Sequence, residues 1–449
     1  MQFTDRVFLA HYSLDAIAAS QPAGVANFLL IAFFFGTVGY VSVFVAQYTG
    51  SGQHNRVGAA LWQGIWFALF SVVCLALLSL IARPVFTAAG HPPTVTELEI
   101  DYFRILQYGS GLAVLETGLS SFYSGRGLTR TIMLVNMFGA GINIPLDYCL
   151  INGVWIFPKL GIQGAALATV TAWGVIAGSY LLLIFRRNNE SCFGVRSGWK
   201  IDKQLFGRLM RFGLPGGVHF FLDILAVTLF LFLVGRIGVQ ELAATNMVFS
   251  IYLLSLLPMI GMSIATSTLV GQAMGGQRPD RAKVAVHSAM HLTMVYMIVV
   301  AVIFLVLPET ILSLFRTKGM DPAQFDAIRG MGVIMLRFVA AYSIFDALAI
   351  TFFGALKGAG DTQFLMWGMG FLALIMLALP VYICVEVLGG GVMTAWSLFT
   401  FYIFMLALVM GWRYYSGKWQ SIRVIEQDPA DPGKAGPSND GCVNNPGPA

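Results

Sequence analysis

The sequence predicts an all-α polytopic membrane protein, with about twelve transmembrane helices in two six-helix lobes. Three observations carry this. First, 57% of the 449 residues are hydrophobic and 11% are charged, whereas a soluble domain carries about 25% charged residues. Second, apolar runs long enough to cross about 30 Å of hydrocarbon recur along the chain, without the short alternating segments of barrel strands. Third, the chain contains itself twice. Val45-Ala-Gln47-Tyr-Thr-Gly50 through Arg56 matches Val270-Gly-Gln272-Ala-Met-Gly275 through Arg281. At the same offset Leu14–Ser20 matches Val239–Thr245, and further on Gly125-Arg-Gly-Leu-Thr129 matches Gly358-Ala-Gly-Asp-Thr362. Each copy holds an even number of spans, so both enter the membrane in the same direction. The halves should be related by an axis along the membrane normal, with a cavity between them.

Taken in order, spans are expected at 1–12, 23–48, 57–82, 101–124, 128–152 and 161–186. The second set falls at 212–235, 242–272, 282–307, 327–356, 362–386 and 389–413. Gly and Pro mark the junctions, at Gly50, Gly125, Gly213-Leu-Pro215, Gly275 and Gly389. The first span, roughly 18 Å long at 1.5 Å per residue, falls short of the hydrocarbon core, and residues are expected to be missing upstream of it. The domains follow: an N-lobe at 1–186, a basic linker at 187–211, a C-lobe at 212–414 and a disordered tail at 415–449. From Gln427 the composition is rich in Pro, Gly, Asn and Asp, which cannot build a core.

About two thirds of the 27 Lys and Arg fall in the even-numbered loops and the tail, which places both termini and the linker in the cytoplasm. The net charge of +5 is spread over these loops and is no nucleic-acid signal. The five cysteines are scattered, without CxxC or metal spacing, so neither a disulfide framework nor structural zinc is expected. No HExxH, GxSxG or nucleotide-binding loop is present, which argues against a membrane enzyme and an ATP-driven pump.

The chemistry should lie in the acids that interrupt apolar runs. A carboxylate at the bilayer centre costs about 2.5–3.5 kcal/mol even on lenient insertion scales, so its default reading is functional. Asp346 lies in such a run, Tyr342-Ser-Ile-Phe-Asp346, with Tyr342 one turn earlier on the same face. Asp223 follows His219 in the seventh span. Asn143 and Asp147 are one turn apart around Pro145, which can bend the helix or free a carbonyl. Asp5 sits beside Arg6 near the start, and Glu116 lies inside the fourth span. Each has a bland alternative. Asp346 can pair with Lys357 or Arg337, Asp147 can lie at a helix end, Asp5 can be neutralised by Arg6, and Glu116 can bond a nearby Ser or Thr. His219 reads as a packed histidine.

The repeated VAQYTG and VGQAMGG turns, the GRGLTRT and KGAGDT turns, and the two sets of six spans resemble the multidrug and toxic compound extrusion (MATE) family of the MOP flippase superfamily, in its NorM-like and DinF-like branches. The resemblance runs from about Asp5 to Arg413. It implies an alternating-access antiporter in the bacterial inner membrane that exports organic cations in exchange for sodium ions or protons. It implies no cofactor and, as partners, small organic cations and lipid, with a monomeric chain. Thr4-Asp5 looks like the family's first-helix aspartate, and Asn143 with Asp147 like its fifth-helix pair. His219–Asp223 aligns with a seventh-helix acid that is usually Glu in the NorM-like branch. Tyr342 and Asp346 look like the tenth-helix cation site. Asp346, Asp223 and Tyr342 are thus the candidates for sodium, and Asp5, Asn143 and Asp147, joined by Glu116, for a second site. Both lobes keep acids, which leaves the coupling lobe and ion open. The alternatives are a lipid-linked precursor flippase of the same superfamily, which would want basic cavity residues, and an exporter of one metabolite.

Overall fold

The computed structural model describes residues 2–316 and 322–426, and all regular structure among them is helical. Twelve principal helices follow in order. They are α1 (Gln2–Tyr12), α2 (Leu14–Gly50), α3 (His54–Ala88), α4 (Pro93–Ser124), α5 (Thr129–Asn152) and α6 (Ile162–Ile184). Then come α7 (Lys203–Ile237), α8 (Val239–Gly275), α9 (Pro279–Val306), α10 (Pro322–Ala359), α11 (Thr362–Val387) and α12 (Val392–Tyr415). By length and composition, 10 of these qualify as membrane spans. The exceptions are α1, with 11 residues, and α4, which carries Glu97, Glu99, Asp101, Arg104 and Glu116.

The chain divides into two compact units: Met1–Gly217 together with the chain from Val424, and Val218–Arg423. In the first unit α4 is the hub, packed on α2, α3 and α6, while α1 packs on α2 and α5. In the second the hub is α10, packed on α8, α9 and α12. The hub is therefore the fourth helix of each set, as the internal repeat demands. Burial inside its unit explains why α4 tolerates charge: its polar groups find protein partners instead of lipid. His91 Nδ1 lies 2.8 Å from the fully buried Glu99 carboxylate, Gln163 donates to Asp101 at 2.9 Å, and Asn27 donates to Gln107 at 2.6 Å.

The repeated glycine turns do the same two jobs in each unit. Gly127 and Gly360 take positive φ, 78° and 100°, where a side chain would be strained. They let Leu128 N–H and Asp361 N–H each bond at 2.9 Å to the carbonyls of Tyr123 and Leu356, closing the helix end. Two residues earlier, Gly125 and Gly358 let the hub approach a neighbouring helix. A Cβ on Gly125 would collide with the Ser42 carbonyl on α2, and one on Gly358 with the Ser267 carbonyl on α8. Ser42 and Ser267 are repeat equivalents. Gly125→Val and Gly358→Val should each destabilise the protein by about 3 kcal/mol, because backbone must move to make room. Gly178→Ala, where nothing lies within 4 Å, should stay within about 1 kcal/mol of wild type. Thermal unfolding of the purified variants checks both. No change in the first two would refute the close packing.

Pro145 sits inside α5 without breaking it, whereas its counterpart Pro380 in α11 is flanked by π-helical segments, Ala373–Ala378 and Ile383–Val387. These wide turns re-seat the backbone bonds that a missing N–H disturbs.

The basic stretch 187–211 is no free linker. It holds a helix at Arg187–Phe193 and a turn at Ser197–Trp199 and enters α7 at Lys203, and it belongs to the first unit. Trp62 donates to the Val195 carbonyl at 2.7 Å, Trp66 to Trp199 at 3.0 Å, and Gln63 to Lys200 at 3.2 Å. The expected tail is also ordered as far as it is described. Trp419 stacks on Tyr414 and donates to its carbonyl at 2.9 Å. In the first unit, Glu426 accepts from Tyr48 at 2.7 Å and pairs with Arg56 at 3.3 Å and Arg208 at 3.9 Å. Partial burial would raise the Glu426 carboxyl, but the Tyr48 hydroxyl and the two arginines outweigh it and hold it below the ordinary carboxylate value. The remainder of the expected tail, 427–449, lies outside the described residues. Among the described residues Cys74, Cys149 and Cys384 are free.

Candidate cation sites

In the first unit four helices converge on Asp5, which is wholly buried on α1. Thr169 on α6 donates to its Oδ2 at 2.9 Å, and Tyr102 on α4 at 3.2 Å. Asp147 on α5, also wholly buried, lies within hydrogen-bonding reach of the same carboxyl group. Among the described residues no donor reaches Asp5 Oδ1 or either oxygen of Asp147. Asn143, one turn from Asp147 and wholly buried, accepts from Thr4 at 3.4 Å, and its amide nitrogen has no partner. Two buried carboxyl groups with three unserved oxygens are not stable as two bare anions. Each raises the cost of charging the other, and burial adds to that cost. The predicted Asp5, Asn143 and Asp147 are thus brought together. The bland readings, a helix-end Asp147 and an Asp5 neutralised by Arg6, do not fit such burial and contact.

In the second unit Asp346 on α10 is 4% exposed. Its partner is Tyr252 on α8, which donates to Oδ2 at 2.6 Å. Tyr342, expected as the hydroxyl partner, shares the face but makes no bond. Its hydroxyl is buried without a partner, and its ring packs edge-on to Tyr252 at 5.7 Å. Asp223 on α7 is half-buried and close enough to feel the Asp346 charge, with no hydrogen bond joining them. Tyr402 on α12 lies within the field of both acids. Asp346 and Asp223 are thus not joined by a hydrogen bond, and Tyr252 is the tyrosine that bonds Asp346. Neither Lys357 nor Arg337 pairs with Asp346 among the described ion pairs. His219 is packed as expected, stacked on Phe353 at 4.9 Å with Nε2 2.7 Å from the Met369 sulfur.

Glu116 on α4 joins neither cluster. It is half-buried and makes no bond to a neighbouring Ser or Thr. Among the described residues no group of three or more His, Cys, Asp or Glu is disposed to hold a metal ion. The partners that sequence reading missed are Tyr102, Thr169, Tyr252 and Tyr402. Each stands on a different helix from the acid it serves, and nothing in its own segment marks it.

The MatE family profile matches residues 1–149 and 215–383, well over half of the chain. Among curated relatives, "Probable multidrug resistance protein NorM" of Thermotoga maritima is 27% identical, over 94% of this chain and 90% of that one. "Probable multidrug resistance protein YoeA" of Bacillus subtilis is 29% identical, over 68% of this chain and 66% of its own length. Among solved structures, an outward-facing multidrug resistance MATE family transporter of the MOP superfamily superposes with a TM-score of 0.82. It is 19% identical and covers 94% of this chain and 92% of that chain. A MOP superfamily transporter from Pyrococcus furiosus, described as having a binding pocket of reverse polarity, gives a TM-score of 0.81 at 20% identity. It covers 92% of this chain and 91% of the other. At these identities the structural likeness shows the fold.

Proposed function

Because the chain belongs to the MatE family, we propose that it is a secondary antiporter that exports organic cations in exchange for protons, by alternating access, with coupling in its first unit. The observation that carries this reading is the Asp5–Asp147 pair, two buried carboxyl groups in mutual reach with three oxygens left unserved. Taking up a proton leaves the pair with one negative charge instead of two and lets one carboxyl group donate to the other; losing the proton leaves adjacent anions that repel. Such a site prefers one helix arrangement when loaded and another when empty, and this difference in affinity is what an exchanger needs. Asn143 and Thr4 extend the site, and Pro145 lies between Asn143 and Asp147 on the helix that would move.

The second unit suits the cargo. Asp346 and Asp223 supply charge, and Tyr252, Tyr342 and Tyr402 supply ring faces that attract cations. The names carried by the curated relatives support export of drugs. The membrane is the bacterial inner membrane, both termini are cytoplasmic, and the working unit is the single chain.

Everted vesicles or proteoliposomes loaded with ethidium test this, with a pH gradient and a sodium gradient imposed separately. Uptake on the pH gradient is expected. Uptake on the sodium gradient alone would move coupling to Asp346, Asp223 and Tyr342, whose oxygens are the better sodium ligands. No uptake on either, with folded protein in the membrane, would favour the lipid-precursor flippase or a single-metabolite exporter.

A further inference from the structure

The described chain past α12 ends in the first unit, which receives it with polar groups from three helix ends. Tyr48, wholly buried two residues before the end of α2, donates to Glu426 Oε2 at 2.7 Å. Arg56, in the first turn of α3, holds Glu426 Oε1 at 3.3 Å with one guanidinium nitrogen and Asp202 Oδ2 at 3.2 Å with another. Asp202 in turn accepts from the backbone N–H groups of Gln204 and Leu205, at 3.0 and 3.1 Å, and so caps the start of α7. Arg208, on the second turn of α7, lies 3.9 Å from Glu426 Oε1 and donates to the Val424 carbonyl at 3.3 Å. Val424 itself is 1% exposed.

This seat belongs to one copy of the repeat. In the second unit Ala273 stands where Tyr48 does, with no hydroxyl to give, and Arg281, the counterpart of Arg56, is exposed. The seat is therefore not a by-product of the repeated turn. The segment is also held upstream. Trp419 is 1% exposed and stacked on Tyr414 of α12, and residues 420–423 alone separate it from Val424. Five Cα steps cross at most about 18 Å, so the slack between the two anchors is small. The seat can nevertheless release. The Glu426 and Arg56 side chains are 26% and 37% exposed, and ion pairs so open to water are weak and screened by salt. What opposes release is the buried Tyr48 hydroxyl, which gives up its acceptor when Glu426 leaves.

We propose that the ends of α2, α3 and α7 form an interaction surface whose partner is the chain's own segment 424–426, and that this segment acts as a latch. Seated, it ties the three helix ends together and shortens the reach of the chain from α12; released, it frees them. The latch rests on the antiporter reading and the orientation given above, which put it on the cytoplasmic side. Alternating access moves helix ends on that side whenever it opens. A seated latch holds them back and slows the cycle, and whatever weakens the seat speeds it.

Two measurements on the full chain separate the contact from its role. Hydrogen exchange in lipid bilayers, without substrate, reads the seat itself. Glu426→Gln removes the charge that the arginines hold, and Tyr48→Phe removes the buried donor. Each should speed exchange about fivefold at residues 420–426 and at the ends of α2 and α3. Ethidium uptake by everted vesicles, on whichever gradient drives it, reads the role. Both variants should take up ethidium about fivefold faster than wild type at low salt. Raising choline chloride to about 0.5 M should bring wild type close to the Glu426→Gln rate and leave that variant unchanged. Glu97→Gln, which breaks an exposed pair with Arg83, should alter neither readout. Unchanged exchange in both variants overturns the seat. Faster exchange with uptake at the wild-type rate overturns the latch and leaves a structural clamp. If wild type takes up ethidium on neither gradient, the antiporter reading has failed and the latch falls with it, whatever the exchange shows.

Discussion

Asp147→Asn is expected to abolish pH-driven export, with a loss on the order of 100-fold, near the upper end of ordinary coupling free energies. The variant should nevertheless fold as well as wild type. Asn has the shape of a protonated Asp, and its amide can donate to Asp5 Oδ1, which no protein group now serves. The substitution therefore imitates the proton-loaded pair and removes its ability to unload. A transporter held in one state still binds cargo but cannot exchange it. Ethidium binding should persist while gradient-driven uptake disappears, and thermal stability should equal or exceed that of wild type. Asp147→Ala differs: it leaves Asp5 without its neighbour and opens a void, so both stability and transport should fall. Uptake by Asp147→Asn at the wild-type rate would exclude the first unit as the coupling site. The Asp346–Asp223 cluster would then carry the coupling instead.

The acids are legible in the sequence for a physical reason. A carboxylate in an apolar run is costly, so Asp5, Asp147, Asp223, Asp346 and Glu116 announce themselves one at a time. Their partners do not. Tyr252 is 94 residues from Asp346, and Thr169 is 164 from Asp5. Tyr and Thr are ordinary residues in a membrane helix, and only packing shows which of them faces a charge. Tyr342 illustrates the limit of helical spacing: one turn from Asp346 puts it on the same face, but its ring swings onto Tyr252 and its hydroxyl goes elsewhere. The repeated glycines were readable as turns from their spacing. Their second role, close approach to Ser42 and Ser267, depends on a helix distant in sequence. The basic linker was readable as charge, while its anchoring on α3 was not, because the indoles of Trp62 and Trp66 bond to backbone carbonyls that any sequence would supply.

Asp361→Ala should cost about 3–5 kcal/mol of stability, the scale for removing one partner of a buried ion pair. Asp361 opens α11 directly after Gly360, and its carboxylate takes two bonds from Arg413 on α12, at 2.6 and 3.1 Å. The side chains are 5% and 17% exposed, so neither charge has much access to water. The Arg413 guanidinium also lies 4.7 Å from the Phe364 ring centroid, and this fixes its plane. The repeat shows that the pair is an addition rather than a requirement of the turn. Leu128 occupies the same place in the first unit and makes the same backbone bond without any charge. The loss in Asp361→Ala therefore arises from a stranded guanidinium and not from a broken turn. Two further variants separate these causes. Arg413→Lys should lose part of the stability, since an ammonium cannot fork onto both oxygens or lie flat on Phe364. The double variant Asp361→Leu, Arg413→Met should be more stable than Asp361→Ala alone, because it removes both charges and leaves none unpaired. Thermal unfolding of the four proteins in one detergent decides the matter. If the double variant is as unstable as the single one, the cost lies in the turn itself, and the ion pair contributes little.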